Sequence, residues 1–327
     1  MMRDWFLYNI DKKEKADSLL SGDLNKILRG DTSANDPGGH LALLSSLRTP
    51  SSPKEIEGWL STGQVAAQRG PIWKFPAEML DQIIEELDMQ DAYVVTLAIT
   101  CKALLEVSKR HLLAVLRELH APWQNNRLIL LGVSTSGRAA LPPGLLTDAE
   151  WEEMTSTAVF GAFDSSDDLP GSNRRRLARI PQKLCVPAAA GSNTGLSEYR
   201  MFSVLWGSTG VTYPEGPLVL CNVSKGEYVL EEGLPGAGHL SAPLAHALLA
   251  LIVWTTDPAD SRSLDCPSSI REELIRGPWA GDRFCVVTIC SLPRLENGVA
   301  GWTDVSAQAA RLLSHLGLDF VCRKKGA

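Results

Sequence analysis

The sequence has no excess of positive charge: its 327 residues carry 32 Lys and Arg against 38 Asp and Glu, a formal charge of -6. A mildly acidic chain is a poor general nucleic-acid binder unless its basic residues cluster, so no nucleic-acid partner is expected. Long apolar runs are also missing. The run at residues 5–8 is too short for a signal-peptide core and is soon followed by charge. The longest later stretch, residues 244–254, is interrupted by His246 and falls short of the ~20 residues that span a bilayer. It reads as a buried helix. No membrane partner is expected, and the expected location is cytoplasmic and/or nuclear.

The seven cysteines are Cys101, Cys185, Cys221, Cys266, Cys285, Cys290 and Cys322. Their number is odd and no C-x-x-C pair occurs, which argues against a secreted disulfide framework and against a zinc finger. Reduced thiols, several in apolar surroundings, are the expectation. The six histidines form no H-E-x-x-H or similar ligand spacing. His111 and His246 lie in apolar helical stretches and read as packed, hydrogen-bonded core histidines. A phosphate loop is lacking too: Leu234-Pro235-Gly236-Ala237-Gly238-His239 has no following Lys-Ser/Thr. No metal and no cofactor are expected. There is no internal repeat and no heptad seam.

What remains is the composition of a folded protein, with 44% hydrophobic and 21% charged residues. The length suits two modest domains. The 27 Gly and 19 Pro predict irregular stretches between compact parts.

Residues 1–30 hold a short aromatic-apolar start, then Leu19, Leu20, Leu24, Ile27 and Leu28 at near-helical spacing. Residues 31–70 are rich in Asp, Ser, Gly and Pro and read as a flexible linker with a brief helix around 54–64. From residue 71 the texture changes. Met79, Leu80, Ile83, Ile84 and Leu87 mark one helix face, opened by Pro76. A second helix from about residue 90 buries Val94, Val95, Leu97 and Ala98. A third, capped by Thr100, turns Ala103, Leu104, Val107, His111, Leu112 and Val115 inward.

Beyond residue 120 a mixed α+β region is expected. Strands are read at 127–132, 218–223 and 283–289, buried or closing helices at 240–254 and 306–316, and a loop at 161–197. Thr147 and Glu150 form a candidate capping box. The fold class is therefore α+β: a small three-helix domain at 71–119 and an α+β domain at 120–327.

The run Phe75-Pro76-Ala77-Glu78-Met79-Leu80-Asp81-Gln82-Ile83-Ile84-Glu85-Glu86-Leu87, closing at Thr100-Cys101-Lys102-Ala103-Leu104, resembles an F-box. Phe75-Pro76 takes the usual leucine-proline place and Cys101-Lys102 the closing place, while Leu104 stands where many F-boxes carry tryptophan. Further blocks are similar to F-box-like proteins of mushroom-forming (basidiomycete) fungi. They include Trp5-Phe6-Leu7-Tyr8-Asn9-Ile10-Asp11-Lys12, Cys221-Asn222-Val223-Ser224-Lys225-Gly226-Glu227-Tyr228-Val229, Trp254-Thr255-Thr256-Asp257-Pro258 and Gly277-Pro278-Trp279-Ala280-Gly281-Asp282-Arg283-Phe284.

The resemblance implies a non-catalytic substrate adaptor that docks on the Skp-type adaptor of a cullin-based SCF ubiquitin ligase and presents an unknown protein substrate for ubiquitin-dependent degradation. The adaptor-binding residues it implies are Phe75, Pro76, Met79, Leu80, Ile83, Ile84 and Leu87. Residues 120–327 would recognise the target. The alternative is an interaction module outside any ligase, with the same helices packed internally.

Other constellations have weaker chemistry. Trp254, Asp257, Trp279, Asp282 and Arg283 are candidates for a partner site or pocket: Asp282-Arg283 as a bidentate ion pair across a turn, Trp254, Trp279 and Trp302 as its lining. The competing reading is a tryptophan-pinned core. Arg174-Arg175-Arg176 is the one basic cluster, an import signal, a partner contact or a solvated loop. Gly132-Val133-Ser134 is a faint nucleophile elbow, broken by Ser136 and by Leu141-Pro142-Pro143, so a hydrolase on Ser134 ranks last. Asn222-Val223-Ser224 matches a glycosylation acceptor that would go unused without secretion.

Overall fold

The computed structural model describes residues 5–16, 24–29, 38–62, 70–87, 93–132, 137–155, 164–166, 211–235, 242–258, 264, 266–295 and 301–316. The chain is mixed α+β. It divides into two compact units: one takes Met1–Arg48, Trp123–Gly171 and Glu215–Ala327, the other Thr49–Pro122 and Ser172–Pro214. We call them the α+β unit and the helical unit. Among the described residues no helix is long and apolar enough to cross a membrane.

The α+β unit contains two sheets. In the first, β1 (Trp5–Asn9) lies between β2 (Glu14–Ala16) and β3 (Leu128–Gly132). Both pairings are antiparallel, with Tyr8 opposite Lys15 and Leu7 opposite Leu130. Parallel strands β4 (Asp164–Ser166) and β7 (Val253–Trp254) extend it on either side. In the second sheet, β5 (Leu218–Asn222) is flanked antiparallel by β6 (Glu227–Leu230) and β8 (Phe284–Thr288), and β9 (Thr303–Asp304) adds to β6. The β5–β6 hairpin turns on Gly226, at φ +68°, with the Asn222 side-chain oxygen accepting the Lys225 N–H at 3.1 Å.

The described residues of the 1–30 stretch, 5–16 and 24–29, are therefore not a separate segment. Trp5, Leu7 and Tyr8 are core residues of a central strand. The linker expected at 31–70 also fails in part. Residues 38–47 form helix α2 (Gly38–Leu47), preceded by α1 (Leu24–Arg29), and they bury Leu43, Leu44 and Leu47. Gly, Ser and Pro dominate the composition around this stretch, but four leucines between residues 41 and 47 outweigh it. Apolar periodicity, not average polarity, decides whether such a stretch is ordered. The expected boundary at 120 is corrected in the same way, because β1 belongs with β3.

The core is organised around α8 (Pro243–Ile252), in which all ten residues are buried; α7 (Asp148–Thr155) precedes it. Proline at its first turn costs no intrahelical hydrogen bond. Each fully buried leucine contributes roughly 1.5–3 kcal/mol of transfer free energy. α8 packs with α1, α2 and α9 (Ser306–His315) in the main apolar cluster, together with Trp5, Trp123, Trp279 and Phe284. His246 on α8 and His40 on α2 stack at 4.3 Å, and their ring nitrogens lie 2.9 and 3.1 Å from the carbonyls of Leu28 and Ile27 at the end of α1. His246 is thus the packed, hydrogen-bonded core histidine expected, and with His40 it closes the C-terminus of α1. Burial lowers the His40 pKa to about 4, with His246 adding to the effect, and burial lowers His246 too.

Gly277 shows why the chain needs glycine there. Its N–H donates to Val253 O at 2.7 Å, and a Cβ would lie 2.4 Å from Leu251 O. The capping box is present: Thr147 N–H donates to Glu150 Oε2 at 2.8 Å, and Glu150 N–H to Thr147 Oγ1 at 3.2 Å. Arg127 sits between Glu150, at 2.5 Å, and Asp11, at 2.8 Å, which holds the Glu150 carboxyl at about 2.

Candidate docking face and the other predicted sites

The helical unit contains α3 (Lys54–Ser61), a 3-10 turn at Pro71–Lys74, α4 (Ala77–Glu85), α5 (Tyr93–Ala98) and α6 (Lys102–His120). Ile56, Ile84, Val94, Val95, Ala98, Leu105, Leu112, Val115 and Leu119 form its core, with Leu87, Leu97 and Val107 partly buried against them. Leu104 is buried as well. The cap of α6 is Cys101 in extended conformation, not Thr100. The Thr100 hydroxyl instead donates to Leu97 O at 2.7 Å and finishes α5.

α4 separates its apolar residues into two rows. Leu80 and Ile84 are buried, at 4% and 1% exposure, and Leu87 is half-buried. Phe75, Met79 and Ile83 are exposed at 43%, 44% and 42%. Met79 and Ile83 stand one turn apart on one stripe, with Phe75 and exposed Pro76 at its N-terminal end. Lys74, Glu78, Gln82 and Glu86, all exposed, flank it with polar groups. The seven residues expected to form one docking set are therefore not one surface. Leu80 and Ile84 are corrected to core positions and Leu87 to a half-buried one: at 3.6 residues per turn the five positions 79, 80, 83, 84 and 87 spread over an arc of about 140°, and its 80/84 edge is the one turned into the core.

Beside the stripe, α4 is tied to α6 by ion pairs that sequence reasoning missed. Asp81, on the flank of α4 beside the stripe, accepts from Arg110 Nε at 2.7 Å and lies 2.8 Å from His111 Nε2, both on α6. Glu85 is 3.7 Å from Arg110. The His111 contact is the largest influence holding the Asp81 carboxyl below its ordinary range. Lys109 pairs with Glu57 on α3. The available signal was the opposite charge of acidic α4 and the Lys109-Arg110-His111 run of α6.

The second set of candidates does not converge. Trp254 donates to Ala140 O at 2.9 Å and carries Arg276 4.8 Å over its ring. Trp279 is buried, stacks obliquely on Phe284 at 5.8 Å and donates to Glu227 at 2.6 Å. Trp302 donates to Pro293 O at 3.0 Å. The three belong to three different apolar clusters, so they do not line one pocket.

Asp282 and Arg283 do not pair with each other. Asp282 accepts from Asn222 Nδ2 at 2.8 Å and lies 3.2 Å from Lys225, and burial raises its pKa. Arg283 reaches Asp11 at 2.7 Å and Asn125 O at 2.8 Å. Neighbours on an extended backbone project to opposite sides, which defeats a direct pair. Asp257 donates its backbone N–H to Thr255 Oγ1 at 3.0 Å in a local turn. Asn222 is fully buried, so the glycosylation pattern is structural.

A cleft of about 230 Å³ is lined by Arg138, Leu141, Pro142, Pro143 and Leu145, and Arg138 is paired with Asp148 at 2.6 Å. That volume is below the ~300 Å³ at which small-molecule sites begin. Among the described residues no group of three or more His, Cys, Asp or Glu is placed to hold a metal ion. Ser134, the 161–163 and 167–197 parts of the expected loop, and Arg174, Arg175 and Arg176 lie outside the described residues. Comparison with protein-family models, with curated proteins and with solved structures finds no match for the chain.

Proposed function

We propose that the chain is a non-catalytic F-box-type adaptor, in which the helical unit docks on the Skp-type adaptor of a cullin-based SCF ubiquitin ligase and the α+β unit binds a protein target. The observation that carries this reading is the stripe of Phe75, Met79 and Ile83, left in water on α4 beside Pro76 while Leu80 and Ile84 of the same helix are buried. An apolar row with a polar border suits helix-in-groove packing. The F-box resemblance of residues 75–104 places its opening motif at this row. The docking set is accordingly Phe75, Pro76, Met79 and Ile83. Ubiquitin chemistry belongs to the partner enzymes.

The test is capture of the Skp-type adaptor and cullin by tagged full-length protein, beside a Phe75→Ala, Pro76→Ala, Ile83→Ala triple variant. Capture by wild type and its loss in a variant with unchanged circular dichroism is the expected result. Truncating a central apolar anchor typically costs about 2 kcal/mol or more of binding. No capture by folded wild type overturns the reading in favour of an interaction module outside any ligase.

A further inference from the structure

The outer face of the second sheet carries two thiols in one small apolar cluster. Cys221 on β5 and Cys285 on β8 are directly opposite in antiparallel register, and both are free. They are 0% and 1% exposed, packed with Val219 and Val287 under the half-buried Trp302, Leu292 and Ile289.

The ladder fixes the type of site. Val223 N–H donates to Arg283 O at 2.8 Å and Ile289 N–H to Pro217 O at 3.1 Å. Counting in steps of two between these bonds makes Cys221 and Cys285 a hydrogen-bonded pair, with Cα atoms about 5.5 Å apart. That lies inside the roughly 4.4–6.8 Å range over which cysteines bridge. Facing Cβ atoms at such a site stand at the wide end of about 4.5–5.5 Å, beyond the ~3.8 Å typical of a disulfide. A bond here closes only if the strands draw together, and strained disulfides are the readily reduced ones.

We propose that Cys221 and Cys285 are a reversible oxidation site, closing to a cross-strand disulfide under hydroperoxide and reopening with a thiol reductant. In the first step the thiolate of one cysteine attacks a peroxide oxygen; the O–O bond breaks, hydroxide leaves and a sulfenic acid forms. The second thiolate then attacks that sulfur, the S–O bond breaks, and a second hydroxide leaves to be protonated. Two thiols lose two protons and two electrons in all, and one peroxide becomes two waters. The neighbouring thiol and burial both raise the Cys221 pKa, so the reaction waits on exposure of the pair to solvent. Closure would tie β5 to β8 and leave the helical unit's stripe untouched.

The test treats the full-length chain with graded hydrogen peroxide, quenches it by alkylation and maps the peptides by mass spectrometry. Exposed Cys290 and half-buried Cys101 and Cys266 serve as internal controls. The expected result is a Cys221–Cys285 crosslink lacking two hydrogens, removed by glutathione and lost in Cys221→Ala and in Cys285→Ala, each checked for folding by circular dichroism. If Cys290 is fully oxidised while Cys221 and Cys285 stay as thiols, the proposal is overturned. A crosslink of either cysteine to a different partner, or one that glutathione leaves intact, overturns it equally.

Discussion

The two units treat apolar surface in opposite ways. In the α+β unit, α8 buries every one of its ten residues, His246 included. In the helical unit, α4 is nine residues long and keeps Met79 and Ile83 in water, with Phe75 just ahead of it. Neither choice follows from how apolar the helix is alone. Among the described residues α8 is packed by α1, α2, β3, β5, β6 and the helix Ser306–His315, whereas α4 rests mainly on α6. A helix covered on one side must leave its other side to solvent, polar or not. Polar residues there would have cost nothing in stability, and the proposed docking would give the apolar ones a use.

The sharpest way to break this comparison is a truncation in each unit. Leu248→Ala on α8 should cost about 2–5 kcal/mol, read by urea unfolding. Ile84→Ala on α4 should fall at the low end of that range, and its neighbour Ile83→Ala should stay within about 0.5 kcal/mol. Equal costs at 83 and 84 would mean that the outer row is core after all.

Acid sharpens the contrast further. His40 is held neutral in the fold, its pKa lowered to about 4. The unfolded chain takes up a proton below its ordinary 6.5 and the fold does not. Stability should therefore fall as pH drops from about 6.5 to 4, on the order of 3 kcal/mol, and His40→Gln should flatten that slope. Glu150 acts in a lower window. Its pKa is depressed to about 2, so its contribution is present above pH 4.5 and is lost as pH falls toward 2. Burial lowers the His120 pKa at the end of α6 to about 4 as well, so the upper window is shared by both units. The lower one, from Glu150, is read in the α+β unit by titration followed by Trp fluorescence.

Gly277→Ala comes next. Its new methyl meets Leu251 O and Val253 O, and forced repacking of this kind costs about 1–3 kcal/mol in thermal unfolding. The smallest effect is expected from Asp81→Asn. It weakens the hold of Arg110 and His111 on α4, lowers the helical unit's midpoint slightly, and does so less in high salt.

Much of the architecture is legible wherever the signal is local. The Thr147–Glu150 capping box, the β-branched strand at Phe284–Thr288, the all-round apolar α8 and the three helices of residues 77–120 all announce themselves within a short window. What escapes is long-range. Five residues at Trp5–Asn9 do not show that they are the centre of a sheet, because their partners are elsewhere in the chain. The leucines of α2 were hidden by the Gly, Ser and Pro around them. Periodicity found the apolar arc of α4 but not which half of it faces α6; that depends on where α6 lies. Trp254, Trp279 and Trp302 looked like a set because tryptophan is conspicuous, yet each pins a different cluster.

The position of β1 sets the order in which the molecule can be made. Residues 5–9 leave the ribosome shortly before β2 but long before β3, which begins at Leu128, and β7, on the far side of β3, begins only at Val253. Beyond its short pairing with β2, the contacts that bury this strand wait for chain not yet synthesised. The helices between Lys54 and His120 need only their own neighbours and can collapse while β1 is still unpaired. Local contacts form quickly and distant pairings slowly. The helices of residues 54–120 should therefore form first, and the nascent β1, still without β3, is the segment that a chaperone would meet.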